Sequence, residues 1–266
     1  MVRTFLIAAC MCASLQALTA QSTPATKMGP GSGAVLLASA PTPPILDRFI
    51  QLAGGPGDLI VFVPTATLQK PGAAMVYVPS GPEVGGLKAR GATNVVVLHT
   101  FDRIVADTDS FVEPLKRASG VWLAGGLPEN LLDSYAGTKV ETELRNVLAR
   151  GGVVGGVSAG AMVLGSETVN SGLSADRQWV VRKGFGLLRA LAFKPHAQNP
   201  TPDSWMLKRP NLARLASDNA TAWVIQRDRA EIIGDGKAYV FTDSVGPDGM
   251  PFITLRGGDR YDFARR

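Results

Sequence analysis

The chain has 266 residues, of which 45% are hydrophobic and 18% charged, and its formal net charge is +5. This composition indicates one sizeable domain with a buried core. The small basic excess is spread without a run of lysine or arginine, so no nucleic-acid partner is expected. Two histidines and two cysteines are too few for a metal centre rich in imidazole or thiolate. We expect no metal and no cofactor, since a site of carboxylates alone would have no motif behind it.

Residues 1–20 have the layout of a secretory signal peptide. Arg3 precedes an apolar run of roughly a dozen residues that ends in small side chains. We predict cleavage near Ala20 and a secreted or periplasmic protein, with lipid attachment at Cys10 as a less favoured alternative. Both cysteines lie in this segment, so the mature chain would have no disulfide and no thiol nucleophile. No other stretch approaches the ~20 apolar residues of a membrane span, and no membrane partner is expected.

Residues 21–33 are rich in serine, threonine, proline and glycine and are predicted to form a flexible leader. Short apolar runs then follow, and their lack of alternation predicts strands that are buried on both faces. These runs are "AVLLA" from Ala34, "LIVFV" from Leu59, "NVVVL" from Asn94, "GVWLA" from Gly120 and "GGVVGGV" from Gly151.

Helix-like segments lie between these strands, beginning at Pro44, Thr108 and Thr138. In the last of them Thr138 can cap the helix and Gly151 can end it. Strands that alternate with helices require right-handed crossovers and a mainly parallel sheet. The sequence therefore predicts a three-layer α/β/α fold.

From about Leu187 the pattern changes to closely spaced strands. A helix-like "WMLKRPNLARLAS" is followed by "AWVIQ", "EIIGDGKAYVFT" and "FITLRGGDRYDF", with turn signals at "GDGK" and "GPDG". This spacing predicts an antiparallel C-terminal extension of the same sheet.

One serine stands where the chain must bend sharply. The stretch from Gly156 to Gly160, "GVSAG", fits G-x-S-x-G and lies between a buried strand and a helix start. A nucleophile on such a turn is held in strained geometry, and only small residues fit two places before and after it. Ser158 is therefore a candidate nucleophile, and the N–H of Ala159 a candidate oxyanion donor.

Two alternatives for this stretch are weighed against catalysis. Ser158 could merely cap the following helix, and a phosphate-binding loop fits worse because its lysine and glycine patterns are missing. A serine nucleophile needs a base, and His196 follows an apolar strand downstream of it. His99 also ends a strand, but a structural role suits it better.

Four stretches together carry a resemblance to a known family. They are "RFIQLAGGPGDLIVFVPTAT", "GVWLAGGLPENLL", "LRNVLARGGVVGGVSAGAMVLGS" and "GFGLL" followed by His196. From about Ala34 to Thr242 the sequence resembles the cyanophycinase-like serine peptidases, which include the aspartyl dipeptidase called peptidase E. The resemblance implies a fold similar to the class I glutamine amidotransferases, of flavodoxin-like type. Together with the composition, this predicts a single α/β peptidase-like domain over residues 34–266.

The resemblance also implies roles for residues. Ser158 looks like the nucleophile, His196 like the general base, and Ala159 with Gly125 or Gly126 like the oxyanion donors. No histidine follows His196, which disfavours the α/β-hydrolases, because those enzymes share G-x-S-x-G but place their histidine last.

The sequence departs from the family at several positions. Gln226 and Arg227 stand where relatives have an Asp-Glu pair, so Asp228, one residue further on, is the candidate relay acid. The early "GGG" of many relatives is "ASA" at 38–40. Relatives use polar or acidic groups where this chain has Leu127, Pro128 and Lys194, and these three residues are expected to line the substrate pocket. Lys194 would favour an acidic or neutral peptide over one with an arginine side chain.

The prediction is a secreted or periplasmic serine exopeptidase that cuts a peptide bond next to an aspartyl residue. Its expected substrate is a small or aspartyl-containing peptide, and a homodimer is left open. The alternative is a descendant that keeps the fold but binds a ligand without catalysis.

Overall fold

The computed structural model describes residues 26–68, 82–173, 176, 178–198, 200–244 and 250–265. The predicted signal peptide lies outside them. The α-helices are α1 Pro43–Leu52, α2 Pro82–Ala89, α3 Arg103–Ala106, α4 Asp109–Arg117, α5 Pro128–Tyr135, α6 Lys139–Ala149, α7 Ala159–Met162 and α8 Ser204–Leu207. The strands are β1 Ala34–Ala38, β2 Ile60–Val63, β3 Val95–Val97, β4 Gly120–Leu123, β5 Val153–Val157, β6 Glu167–Leu173, β7 Trp179–Lys183, β8 Leu191–Lys194, β9 Ala213–Ser217, β10 Thr221–Gln226, β11 Arg229–Gly234, β12 Lys237–Phe241, β13 Phe252–Arg256 and β14 Arg260–Asp262.

The five predicted apolar runs form the parallel part of an eight-stranded sheet. The strand order is β14-β11-β10-β1-β5-β4-β2-β3, and the contacts among β1, β5, β4, β2 and β3 are all parallel. Alternate residues of β1 enter different hydrophobic clusters, Val35 one and Leu36 the other. Because both faces are covered, the three-layer α/β/α prediction is confirmed.

Local sequence signals set the ends of the predicted helices. Thr108 and Thr138 accept hydrogen bonds from backbone N–H groups at the starts of α4 and α6. The face of α6 that carries Val140 and Leu144 is buried, as its spacing requires. The short helices α2 and α5 were not expected from the sequence.

The C-terminal strands divide between two sheets. β10, β11 and β14 extend the main sheet with antiparallel contacts, as predicted. A separate sheet has the order β13-β12-β9-β8, in which β8 and β9 are parallel. The helix predicted over "WMLKRPNLARLAS" stops at Leu207, because Pro210 cannot continue it and residues 213–217 form the buried strand β9. Among the described residues, no helix is both long and apolar enough to cross a lipid bilayer.

Residues 26–33, which belong to the segment predicted as a flexible leader, contact the rest of the domain in the structure. Met28 is buried in a core cluster, and its carbonyl accepts the N–H of Arg189. The carboxylate of Asp228 accepts the N–H groups of Lys27, Met28 and Gly29. A long-range anchor of this kind leaves no pattern in the leader itself.

Candidate active site

Ser158 occupies a strained bend between β5 and α7. Its backbone angles are φ 51° and ψ −116°, a region that side chains rarely adopt. A Cβ on Gly156 would lie 2.4 Å from the carbonyl carbon of Gly160, and a Cβ on Gly160 would lie 2.2 Å from the oxygen of Leu123. Glycine is therefore required on both sides of the serine, and the bend projects the Ser158 hydroxyl into a cavity.

The hydroxyl of Ser158 reaches an imidazole. Its side chain caps no helix N–H, and its Oγ lies 2.9 Å from Nε2 of His196. His196 follows β8 and is exposed to solvent, and its backbone is left-handed with φ 58°. The histidine found by its position after an apolar strand is thus within hydrogen-bond distance of the serine.

A buried serine holds the backbone of His196. Ser39, directly after β1, is fully buried, and its Oγ accepts the N–H of His196 at 3.2 Å. The same Oγ donates to the carbonyl of Ser217 at 2.9 Å. These bonds stabilise a conformation of His196 that would otherwise cost about 1 kcal/mol or more. Ser39 is the middle residue of the "ASA" stretch, and its contact depends on tertiary structure.

Behind the imidazole stands an amide and not a carboxylate. The Oδ1 of Asn219 lies 2.5 Å from Nδ1 of His196. Because a carbonyl oxygen can only accept, this contact suits a hydrogen on Nδ1, and in that tautomer Nε2 can accept the hydroxyl hydrogen of Ser158. Asn219 sits in the turn between β9 and β10, and Asp218 braces that turn by accepting the N–H groups of Ala220 and Lys237.

Asp228, the predicted relay acid, is not the group behind His196. Its carboxylate is occupied by the three leader N–H groups already described. Burial acts to raise the pKa of Asp228, but these N–H donors and the charge of Arg189 outweigh it and hold the pKa below its ordinary value. The neighbouring Arg227 donates to the carbonyl of Gly31. The predicted acid follows β10, whereas the partner of His196, Asn219, lies before β10.

The predicted oxyanion donors surround the serine. Ala159 is the first residue of α7, so its N–H has no carbonyl partner within that helix. A Cβ on Gly125 would lie 3.4 Å from Cβ of Ser158, and Gly126 lines the cavity. Gly126 also has φ 128°, and a Cβ there would collide with the oxygen of Ala66. The backbone of residues 125–126 can therefore pass close beside Ser158.

The cavity in front of Ser158 has a volume of about 320 Å³. Pro128 and Lys194 line it as expected, whereas Leu127 is not among the lining residues and is 39% exposed. The ammonium of Lys194 is bonded to the carboxylate of Asp203 at 2.7 Å and to the carbonyl of Thr201. The predicted attraction of Lys194 for an acidic substrate is therefore offset by Asp203.

His99 belongs to a different part of the molecule. Its Nδ1 lies 2.9 Å from Oγ1 of Thr65, which also contacts the hydroxyl of Tyr135. Burial lowers the pKa of His99. Across the described ranges, no group of three or more histidine, cysteine, aspartate or glutamate side chains could hold a metal ion.

Comparison with known proteins identifies the family of the chain. The sequence profile of Peptidase family S51 matches residues 32–233, which is most of the chain. The chain belongs to this family. It is therefore a serine-type peptidase, a hydrolase whose substrates are peptides, and the resemblance seen in the sequence is confirmed.

Individual relatives agree with this assignment. A cyanophycinase of Geminocystis herdmanii is 27% identical over 243 residues, covering 82% of this chain and 87% of that protein. A cyanophycinase of Synechococcus elongatus is 29% identical over 178 residues, covering 65% of this chain but only 51% of that protein.

Two solved structures share the fold. A peptidase from an acI-B1 actinobacterium has a TM-score of 0.66 at 22% identity, covering 90% of this chain and 99% of that one. A protein of Listeria monocytogenes EGD-e assigned to peptidase E has a TM-score of 0.53 at 17% identity, covering 76% of this chain and 98% of that one.

Proposed function

We propose that Ser158, His196 and Asn219 form the catalytic relay with which this peptidase hydrolyses short peptides. The observation that carries the proposal is the 2.9 Å contact between Oγ of Ser158 and Nε2 of His196, at a serine held in a strained bend. The strained backbone at Ser158 lowers the stability of the fold. The imidazole beside it can take the proton of the hydroxyl, so a catalytic role accounts for keeping a serine there.

In the proposed reaction Oγ of Ser158 attacks the peptide carbonyl while Nε2 of His196 takes its proton. The N–H of Ala159, with one from Gly125 or Gly126, donates to the negative oxygen that develops. His196 then returns the proton to the departing amine, which leaves an ester on Ser158. A water molecule, activated by the same imidazole, hydrolyses that ester and restores the serine.

Asn219 would act by orienting the imidazole. An asparagine in this place can hold the Nδ1–H tautomer but supplies no negative charge to the imidazolium, as in the Cys-His-Asn enzymes. We expect Asn219→Ala to lower kcat by about 10- to 100-fold with little change in KM, because the tautomer and ring orientation would no longer be fixed. Steady-state kinetics on one peptide measures both constants.

The companion variant Asn219→Asp separates orientation from charge. It should retain more activity than Asn219→Ala, and the acidic limb of its pH–rate profile should move to higher pH, because a carboxylate favours the charged imidazole. Equal kcat in Asn219→Ala and the parent protein would contradict the role of this amide.

Asp228→Asn should leave hydrolysis unchanged and lower stability. The asparagine can accept fewer of the leader N–H groups, and we expect a loss of roughly 0.5–1.5 kcal/mol in the free energy of unfolding, reduced by the partial exposure of the site. Because the folded-state pKa of Asp228 is depressed, the loss is complete at neutral pH, shrinks as the pH falls through the ordinary carboxyl value, and is gone only below the folded-state pKa. Urea unfolding at pH 7 and pH 3 measures it. A large fall in kcat would instead restore Asp228 as the relay acid.

An exopeptidase acting on small substrates suits the cavity, whose 320 Å³ lies near the lower end of the range for small-molecule sites. The preference for an aspartyl residue comes from the resemblance, and it has weaker support because the ammonium of Lys194 is already paired. Hydrolysis of a dipeptide panel that includes isoaspartyl members, followed by release of free amino groups, tests the proposal. Release no faster than with Ser158→Ala would contradict it.

We also propose that residues 1–20 direct the chain out of the cytoplasm. The support is the sequence pattern of one basic residue, an apolar run and small residues before the cleavage point. Expression of the full chain in a bacterium should yield an extracytoplasmic form that begins at Gln21. A cytoplasmic form that retains residues 1–20 would argue against export.

A further inference from the structure

The cavity beside Ser158 has apolar walls contributed by several elements. Its hydrophobic lining residues are Met162 at the end of α7, Val169 of β6, Trp179 of β7, Phe193 of β8 and Trp205 of α8. Val169, Phe193 and Trp205 are buried, and Met162 and Trp179 pack against the hydrophobic cluster that contains Val169 and Trp205. A wall anchored in a packed core keeps its shape without a ligand.

The charged groups in this wall neutralise one another. Lys194 and Asp203 form an ion pair at 2.7 Å, with side-chain exposures of 23% and 24%. Apart from the imidazole of His196, Lys194 is the one basic side chain among the described residues that line the cavity. Ser171, another lining residue, is bonded through its N–H and hydroxyl to the carboxylate of Glu129. A charged substrate side chain would therefore lose its hydration without gaining an unpaired counter-ion.

We propose that this cavity receives an uncharged apolar side chain, aromatic or branched aliphatic, of a residue next to the scissile bond. The proposal rests on the proposed function for the position of that bond at Ser158. Of the aromatic lining residues Trp179 is only partly buried, so an apolar group bound there would remove further apolar surface from water, and each additional buried CH₂ improves affinity about fourfold. Because Lys194 and Asp203 are paired with each other, neither charge is free to attract an acidic or a basic side chain.

Binding to the full chain carrying Ser158→Ala tests the preference without turnover. Two dipeptide series, X-Ala and Ala-X with X as Phe, Leu, Asp or Lys, are titrated by calorimetry at one pH and salt concentration. In at least one series we expect Phe or Leu to bind about tenfold or more tightly than Asp or Lys. Tightest binding of Asp or Lys in both series, equal affinities, or binding of none would overturn the proposal.

Two variants that each remove one charge, in the same background, test the ion pair. Asp203→Asn leaves the ammonium of Lys194 uncompensated, and it should improve the affinity for Asp relative to Phe about tenfold. Lys194→Gln leaves the carboxylate of Asp203 uncompensated, and it should improve the affinity for Lys by a similar factor. Unchanged selectivity in both variants would show that the pair does not set the neutrality of the cavity.

The outcome is separable from that of the proposed function. Turnover depends on the hydroxyl of Ser158, which the binding experiment removes. Apolar preference without any hydrolysis by the parent protein would refute the relay and leave the cavity assignment standing. Hydrolysis restricted to aspartyl or basic peptides would support the relay and refute the assignment of the cavity to an apolar side chain.

Discussion

Ser158→Ala should abolish peptide hydrolysis, with kcat/KM falling at least about a thousandfold. The hydroxyl is the group that would form the ester, and alanine retains the backbone of the oxyanion hole but offers no nucleophile. The free energy of unfolding should change by less than about 1 kcal/mol, because alanine tolerates φ 51° no better and no worse than serine. Urea unfolding beside the kinetic assay separates the two effects.

Ser158→Gly provides the matched structural control. Glycine adopts positive φ without strain, so this variant should be inactive and yet more stable than Ser158→Ala by about 1–3 kcal/mol. The glycine variant would then be inactive but more stable than the alanine variant, as expected if the serine is held in a strained conformation for catalysis. Ser110→Ala, an exposed position on α4, should leave both properties unchanged. If both Ser158→Ala and Ser158→Gly still hydrolysed peptides, Ser158 would not be the nucleophile.

His196→Ala should lower kcat/KM by a similar factor, because Ser158 would lose its proton acceptor and the departing amine its proton donor. The double variant with Ser158→Ala should be no worse than either single one, since residues that act as a unit lose their effect together. His99→Gln is the matched control. His99 is bonded to Thr65, and its replacement should leave hydrolysis unchanged. Additive losses in the double variant would show that Ser158 and His196 act separately.

The serine was predictable because its signal is local. Gly156 and Gly160 lie within two residues of Ser158, and the steric need for them is visible in a pentapeptide. The parallel strands were predictable for a similar reason, since short apolar runs without alternation are typical of strands in the middle of a parallel sheet.

Asn219 was not predictable, because its role depends on how two sheets meet. β9 belongs to the small sheet and β10 to the main one, and the turn between them carries Asn219 to the imidazole. Because relay partners are expected to be carboxylates, an asparagine is not a candidate. The neighbouring carboxylate, Asp218, accepts backbone N–H groups of the turn instead. The contacts of Asp228 with the leader and of Lys194 with Asp203 are likewise between residues that no motif links.

Covalent labelling by a fluorophosphonate, located by mass spectrometry of peptides, tests the pairing of Ser158 with His196 most directly. The account predicts one adduct, on the peptide that contains Ser158, formed about a hundredfold more slowly in His196→Ala and absent in Ser158→Ala. An unlabelled parent protein, or labelling of Ser158 at the same rate without His196, would contradict it.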